Sequence, residues 1–261
     1  MKLKTLFLAA TLLSTIGHNA IAETLKVASA TANLPFEFED ASGKTIGFEV
    51  DLINIIAERL GMNIEMSLMP HNAIFTAVQS GRADLAIGSA TITQKRLETL
   101  DFAQPFIDSK QCLTVKSDSQ INNLKEMKGK AVGVLTGATG DIWTTNNIKE
   151  YGFSEIRRYD TTTEPFLDIP SGRIGGVIHD CPVAYYFIKG KPQYKVVDDI
   201  DTKEQYSVFV KKGNPIRDPI NAEITKLKQE GKMQEIYKKW FGEEPNENSS
   251  TVQVTEIPQA K

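Results

Sequence analysis

The sequence predicts an α/β fold made of two similar lobes. Segments with helical apolar spacing alternate with short apolar segments, and this βαβ rhythm is typical of a mostly parallel sheet with helices on its faces. The tripeptide Ser-Gly-Arg stands at 80–82 and again at 171–173, each time between a predicted helix and a predicted strand. The 261 residues suffice for one large domain or two small ones, and 41% of them are hydrophobic, enough for a real core. We therefore expect two α/β lobes that join near residues 106–111.

The first 22 residues are expected to be a signal peptide. Lys2 and Lys4 form a basic start, and the apolar stretch 6–16 is too short to span a bilayer. Ala20-Ile21-Ala22 offers the small residues that a signal peptidase needs. We expect cleavage after Ala22 and export to the periplasm. Because no cysteine stands at the cleavage point, we expect no lipid anchor.

The first half of the mature chain follows the strand–helix rhythm closely. Strands are predicted at 25–28, 63–68 and 84–88. The segment 47–60 is predicted to begin extended and to become a helix that carries its apolar residues on one face and ends at Gly61. Asn72 is the predicted N-cap of the next helix, which ends at Gly81.

The second half repeats the rhythm and then ends in a polar segment. The predicted strands are 130–135, 156–159, 176–178, 194–197 and 206–210. A glycine-rich turn precedes a helix that starts near Asp141, and two helices, 219–229 and 232–240, close the fold. Residues 244–261 have no apolar period, which predicts a disordered tail.

Charge and cysteine content argue against several classes of protein. The net charge of −3 and the absence of a lysine–arginine stripe disfavour nucleic-acid binding, and no later segment is long and apolar enough to enter a membrane. Two cysteines and two histidines of the mature chain lack the spacing of metal ligands, so we expect no metal and no other cofactor. Cys112 and Cys181 can form a disulfide in an oxidising compartment or stay as buried thiols; both alternatives stay open here.

Ligands of open α/β sheets bind beyond the carboxyl ends of strands, and a polar segment follows the strand 84–88. In it, Thr93 can cap a helix that has Arg96 in its first turn. An arginine at the positive end of a helix dipole indicates an anionic partner, such as a carboxylate. The alternative is a surface arginine paired with Glu98 or Asp101, which local sequence alone favours.

Three other places after strands also have two interpretations. The segment 136–140 can hold an anion on the N–H groups of a helix N-terminus, or it can be a simple tight turn. Asp180 can contact a ligand or cap the following helix. Asn33 and His71 can hydrogen-bond a ligand or only pack locally.

Several segments, taken in their order along the chain, resemble the family 3 solute-binding proteins, which are the polar amino-acid-binding proteins of bacterial ABC importers. No single motif is decisive, but their order and spacing are specific, and the similarity covers roughly residues 24–242. The matching segments are Leu-Pro-Phe-Glu-Phe (34–38), Gly-Phe-Glu-Val-Asp-Leu (47–52), Gly-Arg-Ala-Asp (81–84), Thr-Ile-Thr-Gln-Lys-Arg (91–96), Asp-Phe-Ala-Gln-Pro-Phe (101–106), Lys-Ala-Val-Gly-Val (130–134) and Lys-Lys-Trp-Phe-Gly (238–242).

The resemblance implies a two-lobed, type II periplasmic-binding-protein fold with two hinge crossings and a ligand cleft between the lobes. Lobe 1 is expected at 24–107 plus 199–243, and lobe 2 at 110–198. The family's carboxylate-binding arginine matches Arg96 and its ammonium-binding aspartate matches Asp180. A zwitterion held by both would bridge the lobes and stabilise the closed form. The family's hydroxyl and backbone contacts in lobe 1 match Ser89 and Thr91, and its lobe 2 contacts near the α-carboxylate match Ala138 and Thr139.

The pocket for the ligand side chain departs from the family pattern. The family usually stacks that side chain between two aromatic residues, and those positions match Asn33 and His71. An acidic residue that often contacts basic or amide side chains matches Ala30. We therefore predict a polar, small or acidic amino acid rather than lysine or arginine, with Asn33 and His71 on its side chain.

The resemblance also implies a monomeric protein without enzymatic activity that hands its ligand to a membrane permease. Two other functions stay open at this point. A periplasmic enzyme on the same fold, such as a dehydratase, would use His71 and Asp180 for proton transfer. A ligand-sensing ectodomain would share the site, although no fused signalling domain accompanies it.

Overall fold

The computed structural model describes residues 22–261, so the expected signal peptide lies almost entirely outside the described residues. Within them, no helix is long and apolar enough to cross a membrane. The first elements are β1 (Thr24–Ala30), β2 (Phe38–Glu39), β3 (Thr45–Ile46), α1 (Phe48–Arg59), β4 (Asn63–Met69), α2 (His71–Gln79), β5 (Leu85–Ile87), α3 (Gln94–Leu97) and β6 (Leu100–Phe102). Then follow β7 (Ile107–Lys116), a 3-10 turn (Leu124–Met127), β8 (Ala131–Leu135), α4 (Thr139–Tyr151), β9 (Glu155–Tyr159), α5 (Glu164–Asp168), β10 (Gly176–Asp180), α6 (Cys181–Ile188) and β11 (Tyr194–Tyr206). The last are β12 (Phe209–Lys211), α7 (Arg217–Gln229) and α8 (Lys232–Phe241).

Each lobe contains a five-stranded sheet with a parallel centre. The first has the order β4-β1-β5-β12-β6, in which β1 runs parallel to β4 and β5, and β12 is antiparallel to its neighbours. The second has the order β11-β7-β10-β8-β9, in which β8 runs parallel to β9 and β10, and β7 is antiparallel to its neighbours. The predicted two-lobed α/β fold is confirmed. The repeated Ser-Gly-Arg stops, with φ of 76° at Gly81 and 72° at Gly172, each precede the middle strand of a sheet.

The strands β7 and β11 carry the chain between the lobes. They pair antiparallel along most of their length, with Ile107 opposite Tyr206 and Lys116 opposite Tyr194. At 13 residues, β11 is far longer than the predicted strand at 194–197. The residues at which each lobe ends stay a prediction.

Cys112 and Cys181 form a disulfide, with their Cα atoms 4.9 Å apart. The bond ties the crossing strand β7 to the first residue of α6, and it decides between the two alternatives that the sequence left open. The carboxylate of Asp199 lies close to both sulfurs, and such a group of three could in principle hold a metal ion. Because the sulfurs are bonded to each other, neither is available as a thiolate ligand.

Two helices begin earlier than predicted. α2 starts at His71, directly after Pro70, so the predicted N-cap Asn72 lies inside its first turn. α4 starts at Thr139 rather than near Asp141. As a result, His71 and Thr139 are each the first residue of a helix.

The prediction of a disordered tail is wrong, because the segment after Glu243 lies on the crossing strands. Ser250 and Thr251 are buried. The Ser250 N–H donates to the Asp108 carboxylate at 2.8 Å, and the Thr251 hydroxyl donates to the Phe106 carbonyl at 2.9 Å. These polar contacts hold a segment that has no apolar period of its own, which is why composition alone suggested disorder.

Candidate ligand-binding cleft

The cleft between the lobes lies where the two middle strands end. The chain leaves β5 through Gly88 and Ser89, and β10 ends at Asp180. One small cavity there is bordered by every residue that the sequence predicted for the site. Its volume of about 10 Å³ holds about one water molecule, so an amino acid can enter only when the lobes part. The cavity is lined by Asn33, His71, Gly88, Ser89, Thr91, Arg96, Leu135, Ala138, Thr139 and Asp180.

Arg96 is the cationic group of the cleft. Its Nη1 donates to the Thr91 carbonyl at 2.8 Å, and its Nη2 reaches the Gly137 carbonyl of the other lobe at 3.4 Å. Its guanidinium carbon lies 4.3 Å from the centroid of the Phe75 ring. Burial lowers the pKa of Arg96 to about 10, which still leaves it charged at neutral pH.

The structure agrees with one part of the sequence argument for Arg96 and not with another, and its role as a ligand contact stays a prediction. Thr93 caps α3 as predicted, since its hydroxyl oxygen accepts from the Arg96 N–H at 3.2 Å. However, α3 has only four residues, so Arg96 lies in its first and last turn at once and the helix dipole does not single it out. The alternative of a pair with Asp101 does not apply, because Asp101 pairs with Lys212 and Arg217.

Asp180 supplies a buried carboxylate on the opposite lobe. One of its oxygens accepts from Gln111 Nε2 and the other from the Tyr206 hydroxyl. Burial raises the pKa of Asp180, while these two donors and Arg96 oppose that shift. Because both oxygens accept hydrogen bonds, the group is set up as a carboxylate and not as an acid.

A second buried carboxylate, Glu204, lies beside Asp180 and was not predicted. Its Oε2 accepts from the hydroxyls of Thr91 (2.8 Å) and Thr139 (2.7 Å), and its Oε1 accepts from Gln111 Nε2 (2.9 Å). Burial and the nearby Asp180 raise the pKa of Glu204. Sequence reasoning missed Glu204, Gln111 and Tyr206 because they lie on the crossing strands and not beyond the end of a strand in a βαβ unit.

The floor of the cleft in lobe 1 is a network around Asn33. Its amide group donates to Glu37 Oε1 at 2.6 Å and to the Ser89 hydroxyl at 2.5 Å. The Ser89 N–H in turn donates to Glu49 Oε2 at 3.0 Å. Burial and the neighbouring Glu49 raise the pKa of Glu37 well above its usual value, because two adjacent carboxylates in a buried site repel each other. With both amide hydrogens engaged, Asn33 can offer a ligand only its oxygen.

His71 offers the cleft a lone pair. It is only 7% exposed, and its Nε2 has no hydrogen-bond partner among residues 22–261. Burial, and after it the charge of Arg96, lowers the pKa of His71 to about 3, so the imidazole is neutral. A hydrogen bond to the Gly88 backbone opposes this shift, as an imidazole N–H donating to a carbonyl does. That bond uses the single N–H of a neutral imidazole, which leaves Nε2 as an acceptor.

Ala138 and Thr139 line the cleft on its lobe 2 side. Ala138 is the N-cap of the 13-residue helix α4, whose first N–H groups have no acceptor within the helix. Gly137, which precedes Ala138, has a φ of 74°, and residues with a side chain rarely adopt this backbone angle. The N–H groups of Thr136, Gly137 and Ala138 already have partners, so only those from Thr139 onward are left for an anion, and both interpretations of 136–140 stay open.

Comparison with known proteins agrees with this architecture. Residues 25–243 match the model of the bacterial extracellular solute-binding proteins, family 3. The chain belongs to this family. Because its members are solute-binding proteins and not enzymes, the dehydratase alternative is set aside.

Among similar members of family 3, two curated relatives and one solved structure illustrate the range of ligands. The arginine-binding extracellular protein ArtP of Bacillus subtilis is 29% identical, over 79% of this chain and 82% of its own. The L-cystine-binding protein TcyJ of Escherichia coli is 28% identical, over 80% and 79%. The arginine-, lysine-, histidine-binding protein ArtJ of Geobacillus stearothermophilus superposes with a TM-score of 0.80 at 29% identity, over 87% of this chain and 98% of that one.

Proposed function

We propose that this family 3 protein captures an α-amino acid in the periplasm and delivers it to the permease of an ABC importer. One observation supports this above all others: a partly buried arginine and a buried aspartate face one cavity from opposite lobes. The ligand's α-carboxylate binds Arg96 and its α-ammonium binds Asp180. Ser89, Thr91, Ala138 and Thr139 complete these contacts.

The proposal includes the route and state of the protein. Export follows cleavage after Ala22, and the mature protein acts as a monomer. Capture proceeds by closure of the lobes, because a zwitterion that touches both stabilises only the closed arrangement. Several relatives are named for an amino acid, and two of them are named as ABC-transporter binding proteins. This chain has the fold of the solute-binding proteins to which it is similar.

The arginine contact provides the first test. We expect Arg96→Ala to weaken binding of the amino acid by about 100-fold or more, because the ligand carboxylate then has no charged partner in a buried site. The measurement is a thermal-shift screen of refolded, ligand-stripped protein against the proteinogenic L-amino acids and L-cystine, since ligand bound to the native state raises Tm.

The matched control is Lys95→Ala, which removes an exposed cation one residue away. It should keep the wild-type shift. Wild-type affinity in Arg96→Ala, or no shift of the wild-type protein with any amino acid, would contradict the proposal.

A further inference from the structure

A large cavity lies behind the crossing strands, on the side away from the cleft. Successive side chains of β7 point to opposite faces, so Gln111, which contacts the cleft residue Asp180, points one way, and Asp108 and Lys110 point the other. Asp108 and Lys110 border this rear cavity, whose volume is about 470 Å³. Since only about 10 Å³ is left in the cleft, the molecule is closed in front and open behind.

The rear cavity has one aromatic wall from each lobe. Pro182, Tyr185 and Tyr186 border it from α6, which packs on β10 and β11 of lobe 2. Tyr237 and Phe241 border it from α8, which packs on α1 and α7 of lobe 1. The rings of Tyr237 and Phe241 stack with centroids 4.3 Å apart, and Tyr185 is 49% exposed. Apolar ring surface therefore faces the open space from both sides.

Two further observations show that these walls face each other. Lys189 Nζ, at the end of α6, lies 3.6 Å from the position that a Cβ on Gly242 would take, at the end of α8. A smaller cavity of about 210 Å³ lies beside the rear cavity. Pro182 and Phe241 again border it from the two lobes, and residues within 245–251 close it. The back of the hinge is thus loosely packed wherever the two lobes meet.

Rotation of the lobes about the crossing strands moves the front and the back of the hinge in opposite senses. When the cleft opens to admit an amino acid, the rear cavity becomes narrower, and Tyr185 and Tyr186 approach Tyr237 and Phe241. The ring surface that leaves water on this approach stabilises the open arrangement. Closure of the cleft separates the walls again and exposes the rings, as they are in this structure.

We propose that the two aromatic walls form a contact between the lobes in the open protein and thereby set the balance between open and closed arrangements. The inference rests on capture by closure, as proposed above. The wall residues and the residues that line the ligand cavity are different sets. The walls therefore act on affinity through the fraction of protein that is closed. A variant that weakens the rear contact binds the ligand more tightly, although the changed residue lies outside the ligand cavity.

The first test is Tyr185→Ala, which removes the exposed ring of the lobe 2 wall. We expect the Kd of the best amino acid from the thermal-shift screen to decrease by about threefold to tenfold, measured by titration calorimetry. Tyr185→Phe keeps the ring and loses only the hydroxyl, which donates to the Asp199 carboxylate at 3.4 Å, so its Kd should stay within about twofold of wild type. Leu167→Ala removes a 61% exposed apolar side chain from α5 of the same lobe and should keep the wild-type Kd.

The balance can also be measured without ligand. Dyes attached to Ser67→Cys and Asp160→Cys report the width of the cleft, because these exposed positions lie near the cleft ends of the outermost strands β4 and β9. Single-molecule energy transfer should show a higher ratio of closed to open molecules in ligand-free Tyr185→Ala than in wild type. In a Tyr237→Ala background, where the opposite wall is incomplete, Tyr185→Ala should raise that ratio by less than about twofold.

The outcomes separate this inference from the proposed function. Equal or weaker binding by Tyr185→Ala, an unchanged ratio of closed to open molecules, or an equal gain of affinity in Tyr185→Phe would each overturn the role of the rear contact. If Arg96→Ala loses binding while one of these results is found, the proposed function stands and only the rear contact fails. If no amino acid binds the wild-type protein, the proposed function fails. The ligand-free ratio then decides the inference alone, since a rise in Tyr185→Ala supports it and an unchanged ratio overturns it.

Discussion

His179 and Asp180 are neighbours on β10, but their side chains lie in different surroundings. Asp180 borders the cleft, while His179 packs against Phe166, with ring centroids 5.8 Å apart. The His179 Nδ1 accepts from the Asp180 N–H at 2.7 Å. Burial lowers the pKa of His179 to about 4, so the ring is neutral in the folded protein and helps to fix the backbone of Asp180, the proposed ammonium contact.

This histidine predicts a specific loss of stability in acid. The unfolded chain takes up a proton below a pKa of about 6.5, whereas the folded protein does so only below about 4, so the free energy of unfolding falls with pH in that window. The contribution is about 1.4 kcal/mol per pH unit, or about 3 kcal/mol in total. Above pH 6.5 it is fully retained.

Urea unfolding of wild type and His179→Gln at pH 7 and pH 4 measures this contribution, because glutamine can also accept from the Asp180 N–H. We expect the stability advantage of wild type over the variant to shrink by about 3 kcal/mol between the two pH values. Carboxyl groups with raised pKa act in the same window, but they are common to both proteins and cancel. A difference that does not change with pH would mean that His179 is not held neutral.

Among single residues, the sequence could predict those that end or follow strands and could not predict those on the crossing strands. Asp180 is the last residue of a strand, and Ser89 and Arg96 lie beyond the end of another, where α/β folds bind ligands. Glu204 has no such signal, because it stands in a run of polar residues without a visible period. Only the pairing of β11 with β7 brings it under Thr91 and Thr139.

At the element scale, buried strands and amphipathic helices were predictable and crossing strands were not. The strand β5 is continuously apolar and buried on all three residues, as a central strand requires. By contrast, β11 has an irregular burial pattern with register shifts after Val196 and Ile200. Its period-two signal is therefore lost after residue 197, and the prediction stopped there.

The tail is the element that the sequence described least well, and its contacts reach into lobe 1. The buried Lys228 donates from Nζ to Gln104 Oε1 (2.9 Å), to the Pro105 carbonyl (2.7 Å) and to the Gln253 carbonyl of the tail (2.9 Å). Burial lowers the pKa of Lys228 to about 8. The tail thus completes the coordination of a buried ammonium group close to the first crossing.

Removal of residues 245–261 should therefore destabilise the fold. We expect the free energy of unfolding to decrease by about 1–3 kcal/mol. Several polar groups on and near the crossing strands lose their hydrogen-bond partners, and water replaces only some of these bonds. For a protein of this size the loss corresponds to a decrease in Tm of about 3–10 °C, measured by calorimetry.

The matched control is a shorter truncation that removes only the exposed residues 259–261. It should leave Tm within about 1 °C of the full-length protein. Equal Tm values for the two truncations would show that the contacts of Ser250, Thr251 and Gln253 do not contribute to stability.

On the scale of the whole molecule, the two lobes together determine the charge of the cleft. Arg96 contributes a cation, and Asp180 and Glu204 contribute two carboxyl groups whose oxygens accept hydrogen bonds as carboxylates do, while His71 is neutral. A zwitterionic amino acid adds equal charges of both signs, so the closed cleft keeps a negative excess. Neither the sequence pattern nor the net charge of the chain shows this, because the second carboxylate is placed by the folding of a crossing strand.

That negative excess changes the expected class of ligand. The sequence predicted a polar, small or acidic amino acid, and the structure argues against the acidic part of that set. The side-chain end of the cleft offers acceptors, namely the Nε2 of His71 and the oxygen of Asn33. A ligand side chain that donates hydrogen bonds meets these acceptors, whereas a carboxylate meets lone pairs and adds a charge of the wrong sign.

Pairs of ligands with the same shape therefore provide a direct test. We expect L-glutamine to bind at least about tenfold more tightly than L-glutamate, and L-asparagine more tightly than L-aspartate, because only the charge and the donors differ within each pair. Competition against the best ligand of the thermal-shift screen at pH 7.5 gives each ratio even where binding is weak. The ratio of amide to acid affinity should decrease in Glu204→Gln, because this change removes one acidic group from the cleft. It should stay unchanged in Asp201→Asn, which makes the same chemical change at an exposed position of β11. If the acidic ligands bound as tightly as their amides, His71 would have to take up a proton on closure. The imidazolium would then add a positive charge to the cleft and remove its negative excess.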